Sequence, residues 1–221
     1  MTGADLRHID TWLFDLDNTL YPTDSGVGAL MDPHMTAYVM KVTGLEHDGA
    51  YRLQKDYLLR YGATSRGMHL HHGIDPLMFN AAFHDLPLEG LTPDEALSQA
   101  LQALPGRRLI FTNADGVHTE RVLQRLGLMD LFEAVFHIGS GSLAPKPAPK
   151  AFTEIVVAHG LNPATTIFFE DAERNLAPAA DLGMTTVLVG PHAAASTAHF
   201  VHHRTERLAP FLATARVKEP A

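Results

Sequence analysis

Two carboxylates follow a short apolar run near the start of the chain. Asp15 and Asp17 come at alternate positions after residues 12–14, and such a run is typical of a strand that is buried on both faces. Because side chains alternate along extended backbone, both carboxylates are expected on the same side. One could act as a nucleophile towards a phosphoester and the other as general acid and base. A solvated turn at a strand end is the simpler interpretation of this pair.

Polar side chains also follow two later apolar runs. Thr112 and Asn113 come before an expected helix, and a hydroxyl together with the N–H groups of a helix start suits a phosphoryl oxygen. A simple helix cap would need the same residue types. Glu170 and Asp171 end another apolar run, where buried acids need a cation or a partner. An exposed Glu-Asp turn is the alternative.

A lysine between two prolines could complete this chemistry. Lys146 is preceded by Pro145 and followed by Pro147, and prolines fix the backbone so that a stiff loop presents the long side chain. Its ammonium could neutralise a phosphoryl group and keep Asp15 ionised. A solvent-exposed lysine in a proline-rich turn is the usual alternative.

The pattern of strands and helices would bring these groups together. Helical segments alternate with strand-like runs from residue 91 onwards, which predicts an α/β fold with a parallel sheet and right-handed crossovers. Ligands bind such sheets at the carboxyl ends of the strands, so the three polar pairs are expected on one rim. Besides the first run, the predicted strands are 108–112, 134–138, 166–169 and 185–189, with helices at about 116–126, 148–159 and 178–182, and a last edge strand and helix at 200–203 and 205–212.

A long helical segment separates the first apolar run from the rest of the chain. Residues 22–90 show helical spacing and no obvious strand, so they are expected to form a compact insertion in a core made of residues 1–21 and 91–221. The predicted details are a helix start at Asp32 and Pro33, a helix end at Gly62, a loop at 63–67, a helix start at Asp75 and Pro76, a capping box at 92–95 and a frayed end at 213–221.

Length and composition exclude several classes of protein. The 221 residues, 46% hydrophobic and 19% charged, suit a soluble globular chain with one core and a smaller satellite domain. There is no cysteine for a disulfide or a thiolate metal site, and a formal charge of −8 disfavours binding to a nucleic-acid polymer. No apolar stretch approaches ~18 residues and no leader is recognisable, so we expect a cytoplasmic protein without a membrane span.

Four stretches resemble the motifs of the haloacid dehalogenase (HAD) superfamily of aspartate-nucleophile phosphohydrolases. They are residues 11–21 around Asp15, the strand end at Thr112, Lys146 with Pro147, and Glu170 with Asp171, and they follow the order and spacing of that family. The resemblance implies a Rossmann-like HAD core with a parallel sheet flanked by helices. It also implies that residues 22–90 are a small, all-helical C1-type cap, inserted after the first strand.

The resemblance further implies a role for each residue. The implied catalytic and phosphate-binding residues are Asp15 as the nucleophile that forms an aspartyl phosphate, Asp17 as general acid and base, and Thr112, Asn113 and Lys146 around the phosphoryl group. The implied ligands of Mg²⁺ are Asp15, the backbone carbonyl of Asp17 and Asp171, with Glu170 in the outer shell. Mg²⁺ keeps several waters, so three protein oxygens would be enough.

Several strings resemble the pyrimidine 5′-nucleotidase branch of the superfamily, namely residues 57–64, 71–76, 84–87 and 173–176. The implied substrate is a small phosphomonoester, a nucleoside 5′-monophosphate with UMP and CMP as first choices, hydrolysed to nucleoside and phosphate. Arg66 or Thr64 is expected to contact the substrate, with a capped turn between helices as the alternative. The chain is expected to act as a monomer or a homodimer.

Other functions fit the same core. The cap rather than the core selects the substrate, so a phosphatase for phosphoglycolate or a sugar phosphate stays open, as does a phosphomutase. A catalytically silent HAD-fold binding protein is the alternative from a different class. A domain without turnover has no need of a complete set of motif residues. The alternative is therefore disfavoured by the presence of all five of Asp15, Asp17, Thr112, Lys146 and Asp171.

Overall fold

A parallel sheet forms the centre of the computed structural model, which describes residues 3–83 and 85–219. Within that part of the chain, the sheet has six strands: β1 (Thr11–Phe14), β2 (Arg107–Phe111), β3 (Ala134–Phe136), β4 (Thr166–Glu170), β5 (Thr185–Val189) and β6 (His203–Thr205). Their order is β3-β2-β1-β4-β5-β6 and every pair is parallel. The predicted parallel α/β fold is therefore confirmed, with β1 between β2 and β4 at the point where the strand order reverses.

Helices surround the sheet and fill the segment between β1 and β2. In the described residues they are α1 (Val27–Thr43), α2 (His47–Tyr61), α3 (Thr64–His72), α4 (Pro76–Ala81), α5 (Glu95–Gln102), α6 (Gly116–Leu126), α7 (Pro149–His159), α8 (Glu173–Asp181) and α9 (Leu208–Thr214). As predicted, α2 ends at Gly62, and α4 starts at Pro76 with the Asp75 carboxylate accepting a hydrogen bond from the N–H of Leu77.

Both faces of the sheet are buried, and the alternation of β1 divides its side chains between them. Trp12 and Phe14 belong to one hydrophobic cluster, in which the Phe14 ring stacks on Phe169 with 4.8 Å between centroids. Leu13 belongs to the cluster on the opposite face, together with Phe111. A strand with no exposed face reads as a continuous apolar run, and this is the pattern that precedes Asp15.

Two predicted features of the helical segment are wrong. Asp32 and Pro33 lie inside α1, which begins at Val27. The Asp32 carboxylate instead accepts hydrogen bonds from Gln54 Nε2 at 2.9 Å and Lys55 Nζ at 2.6 Å, so it joins α1 to α2 rather than capping a helix. The predicted loop at 63–67 is also wrong, because α3 begins at Thr64.

Three other boundaries differ from the prediction. The cap of α5 is Asp94 rather than a box starting at Thr92, since its carboxylate accepts from the N–H of Leu97 at 3.1 Å. Helix α8 begins at Glu173 and contains Pro178 in its interior, where a helix start was predicted. The strand predicted at 134–138 ends at Phe136, because β3 is an edge strand and pairs only with β2.

The end of the chain is more ordered than predicted. The last strand lies at His203–Thr205 and the last helix begins at Leu208, later than the sequence pattern indicates. The predicted fraying from residue 213 is wrong as far as Arg216, whose carbonyl accepts from the N–H of Leu6 at 2.9 Å and whose N–H donates to Ala4 at 2.8 Å. These bonds attach the C-terminal segment to the first residues of the fold.

The helical segment has a hydrophobic cluster of its own. Val39, Tyr57, Met68, Phe79 and Phe83 are buried together. The division into a core at 1–21 and 91–221 and a cap at 22–90 stays a prediction; His84 and the two residues at each end of the chain lie outside the described residues. None of the helices in the described residues combines the length and the apolar character needed to cross a membrane.

Candidate active site

The structure brings the predicted polar residues to one edge of the sheet. Asp15 directly follows β1, Thr112 directly follows β2 and Glu170 is the last residue of β4. The N–H of Asp15 donates to the carbonyl of Phe169 at 2.9 Å, which continues the β1–β4 ladder into the first carboxylate. Because all strands are parallel, their carboxyl ends meet on the same rim.

Lys146 lies at the centre of this group and is almost fully buried, with 1% of its surface exposed. Its Nζ donates to Asp15 Oδ1 at 2.8 Å, to Glu170 Oε2 at 2.6 Å and to the carbonyl of Phe111 at 2.8 Å. All three ammonium hydrogens therefore have a partner. The alternative interpretation, a solvent-exposed lysine in a proline-rich turn, is therefore wrong. Lys146 is a buried cation between two carboxylates.

Three carboxylates form a compact cluster, in which Asp15 and Glu170 are buried and Asp171 is partly buried. One oxygen from each of Asp15, Glu170 and Asp171 lies within 4.8 Å of the others. Burial, and then the Glu170 carboxylate, raise the pKa of Asp15 to about 7. Burial is also the main cause that raises the pKa of Glu170 to about 7 and that of Asp171 to about 6. A cluster of oxygen donors whose charges repel one another suits a divalent cation.

The turn after β1 orients two members of this cluster. Thr19 Oγ1 donates to Asp15 Oδ2 at 3.2 Å, so both oxygens of Asp15 accept a hydrogen bond. Asn18 has a φ of 63°, in the left-handed region that asparagine tolerates. Its Nδ2 donates to Asp171 Oδ2 at 3.4 Å. The turn after β1 therefore supplies two side chains, Asn18 and Thr19, that hold carboxylates of the acidic cluster.

Two residues that the sequence analysis did not assign hold Asp17. The hydroxyl of Tyr21 donates to Asp17 Oδ1 at 2.5 Å, and Nε2 of His118 lies 2.9 Å from the same oxygen. Burial alone would raise the pKa of Asp17, but His118 and Tyr21 outweigh it and the pKa is lowered. The position of His118 in the first turn of α6, directly after the β2 rim, is the sequence signal that could have identified it.

Asn113 has different partners from the predicted phosphate contact. Its Oδ1 accepts from the N–H of Lys146 at 2.7 Å, and its Nδ2 donates to the Lys146 carbonyl at 3.0 Å. The side chain therefore holds the backbone of the lysine loop, and a phosphate contact through its second amide N–H stays a prediction. Thr112 is buried, and its Oγ1 accepts from the N–H of Ala114 at 3.0 Å; its contact with phosphate stays a prediction.

A cavity of about 240 Å³ lies next to Asp17, between the helical segment and the sheet rim. Its lining includes Thr64 and Ser65 of α3 but not Arg66, so a substrate contact by Arg66 stays a prediction. The lining residues are Asp17, Met31, Asp32, Met35, Gln54, Leu58, Gly62, Ala63, Thr64, Ser65, Phe79, Asn80, Phe83, Asn113, Ala114, Asp115 and His118.

The helical segment contacts the lysine loop through a glycine. Gly62 ends α2 with a φ of 83°, and a methyl group built on its Cα would collide with the Lys146 carbonyl oxygen and the Pro147 ring. Gly44 ends α1 in the same conformation, with a φ of 72°, and has no atom within 4 Å of such a methyl group. The two glycines therefore have similar backbone conformations and different surroundings.

We expect Gly62→Ala to reduce both stability and turnover. Gly44→Ala, the matched control, should cost about 1–2 kcal/mol of unfolding free energy, because alanine is strained at positive φ. Gly62→Ala carries the same strain and also displaces the loop of Lys146, so turnover should fall a further tenfold to about a hundredfold. Urea unfolding and steady-state kinetics on both variants test this. Equal turnover in the two variants would contradict the proposed contact.

Comparisons with known proteins agree with this geometry. Residues 9–183 match the model of a family described as haloacid dehalogenase-like hydrolase. The fold and this match define a hydrolase whose core is a parallel, Rossmann-like α/β sheet. The chain belongs to the haloacid dehalogenase-like hydrolase family, so the superfamily inferred from the four motifs is confirmed.

The individual relatives share 31% or less of their sequence with this chain. The chain is 31% identical over 193 residues to Phosphate metabolism protein 8 of Saccharomyces cerevisiae, covering 80% of this chain and 60% of the yeast protein. Among solved structures, a HAD phosphatase from Thermococcus onnurineus aligns with a TM-score of 0.64 at 20% identity, covering 90% of this chain and 94% of that one. L-2-haloacid dehalogenase from Xanthobacter autotrophicus aligns at 0.57 and 16% identity, covering 93% and 97%. At these identities the structures show the fold alone.

Proposed function

We propose that this protein is a Mg²⁺-dependent phosphomonoester hydrolase that acts through an aspartyl phosphate on Asp15, with pyrimidine nucleoside 5′-monophosphates as substrates. The observation that carries the proposal is the buried Lys146 ammonium between Asp15 and Glu170, beside Asp171. Such a cation favours the ionised form of the nucleophile and offsets the charge of an approaching phosphate. The name of the yeast relative and that of the Thermococcus structure support phosphate chemistry.

The residues present fit a magnesium ion. Asp15 and Asp171 supply carboxylate oxygens of the hard type that Mg²⁺ prefers, and their raised pKa values reflect buried negative charge that a cation would relieve. When bound, Mg²⁺ screens the repulsion between a phosphate and the carboxylates and stabilises the charge that develops during transfer. Glu170 has one oxygen on Lys146 and the other on the N–H of Ala172 at 3.1 Å, which suits the outer shell.

The reaction would proceed in two steps. An oxygen of Asp15 attacks phosphorus while the bond to the leaving oxygen breaks, and Asp17 gives that oxygen a proton. Asp17 then removes a proton from water, whose oxygen attacks the phosphorus and releases phosphate and the free Asp15 carboxylate. Lys146 holds Asp15 in place through both steps.

The need for a proton distinguishes this reaction from the dehalogenation named for one structural relative. A halide leaves as a stable anion and needs no acid, whereas an alkoxide leaving group does. Asp17, two residues after Asp15, lines the cavity and can supply that acid. The acidic cluster also favours a reaction that uses a divalent cation.

The cavity supports a leaving group with an apolar face and a polar edge. Phe79 and Phe83 contribute aromatic surface, while Ser65, Gln54 and Asn80 contribute polar groups. A pyrimidine nucleoside has both kinds of surface. Three of the four strings that resemble the pyrimidine 5′-nucleotidase branch, residues 57–64, 71–76 and 84–87, lie in the same helical segment.

A phosphate-release panel tests the proposal. We expect UMP and CMP to be hydrolysed with a higher kcat/KM than purine nucleotides, phosphoglycolate or sugar phosphates, and release to stop when EDTA removes Mg²⁺. If phosphoglycolate or a sugar phosphate is preferred, the phosphatase assignment stands and the nucleotidase assignment is wrong. If no phosphomonoester is hydrolysed with Mg²⁺ present, the whole proposal is wrong.

A further inference from the structure

We propose that His118 and Tyr21 are positioning residues that hold one oxygen of Asp17 and thereby present the other oxygen for proton transfer. This inference rests on the proposed function and deepens it, since it concerns how the acid–base group is aimed. Its basis is the pair of contacts to Oδ1, from the Tyr21 hydroxyl at 2.5 Å and from His118 Nε2 at 2.9 Å. Oδ2 of Asp17 accepts no hydrogen bond from the described part of the chain.

Both partners are held firmly. Tyr21 and His118 expose only 4% and 5% of their surface, so neither has room to move away from Asp17. The N–H of His118 donates to Asp115 Oδ1 at 3.0 Å, which fixes the start of α6. A carboxylate can only accept, so Nε2 of His118 carries the hydrogen in this contact.

The two contacts leave one oxygen of Asp17 for the reaction. Asp17 lines the cavity, and its side chain is 26% exposed, so the oxygen without a partner is the one open to a substrate or a water. Before the first step Oδ2 takes up a proton from solvent, and in that step this proton passes to the leaving oxygen as its bond to phosphorus breaks. In the second step Oδ2 takes a proton from the attacking water. Both transfers depend on the direction of the same oxygen.

A series of substituted phenyl phosphates separates this role from a structural one. These substrates have similar shapes but leaving groups of different basicity, and kcat/KM reports the steps up to the first phosphoryl transfer. The wild-type rate should depend weakly on leaving-group basicity, because Asp17 protonates the leaving oxygen. Tyr21→Phe and His118→Leu should lose about tenfold to a hundredfold on phenyl phosphate, which needs an acid, and much less on p-nitrophenyl phosphate, which does not.

Two further variants complete the test. His118→Gln can keep an N–H donor near Asp17 and should recover most of the phenyl phosphate activity that His118→Leu loses. His159→Gln changes a histidine at the end of α7, away from the rim, and should leave both rates unchanged. Equal losses on all phenyl phosphates in Tyr21→Phe and His118→Leu overturn the inference alone. A wild-type protein that releases no phosphate from any aryl phosphate overturns the proposed function together with it.

Discussion

Asp15→Asn is expected to abolish turnover and leave the fold intact. Asparagine keeps the size of the side chain and an oxygen for Lys146, but an amide oxygen is too weak a nucleophile to form the acyl phosphate. A loss on the order of 10⁴-fold or more in kcat follows. The Tm should change little, because the variant removes one of three carboxylate charges that lie close together.

The other end of β1 offers a matched control. Asp10 comes before the strand, is exposed, and accepts hydrogen bonds from Thr11 at 2.9 Å and Thr165 at 3.0 Å through Oδ1. Asp10→Asn keeps that oxygen and lies at the opposite edge of the sheet, so its phosphate release should equal that of the wild type. Acid-quench labelling with a ³²P substrate should trap phosphoprotein in the wild type and none in Asp15→Asn. Wild-type turnover in Asp15→Asn would show that another group attacks phosphorus.

Lys146→Met is expected to have the largest effect on stability. Methionine fills a similar volume but leaves Asp15 and Glu170 buried without their cation. Removal of one partner of a buried ion pair typically costs about 3–5 kcal/mol. Turnover should also fall to background, because the phosphate loses a positive partner. Urea unfolding in EDTA measures the stability loss without interference from a bound cation.

A second substitution shows whether uncompensated charge causes this loss. In Lys146→Met/Glu170→Gln one of the two stranded carboxylates is neutral, so the double variant should be more stable than Lys146→Met by about 1–3 kcal/mol. Lys150→Met is the control: Lys150 lies in the first turn of α7, directly after the loop of Lys146, is 67% exposed at its side chain, and pairs with Glu154 only at 3.8 Å. It should stay within about 0.5 kcal/mol of the wild type. A double variant that is less stable than Lys146→Met would contradict the electrostatic explanation.

The local sequence pattern was sufficient to predict the type and order of the strands and helices, and some of the helix ends. The apolar run before Asp15 predicted a buried central strand, and the strand–helix alternation predicted the parallel sheet. The end of α2 at Gly62 and the start of α4 at Pro76 also follow from local chemistry. A glycine in the left-handed conformation ends a helix, and a proline suits the first turn of one. Strand ends and the beginning of α1 were less predictable, because pairing with a neighbour decides them.

The residue types and their spacing along the chain determined the family, the parallel fold and which side chains reach the rim. Only the tertiary structure decided what those side chains contact. It buries Lys146 between two carboxylates, gives the Asn113 amide to the lysine backbone, and brings His118 to Asp17 across 101 positions. The physical reason is that a hydrogen bond between residues far apart in the sequence depends on how strands and helices pack. The local sequence pattern around each residue does not specify that packing.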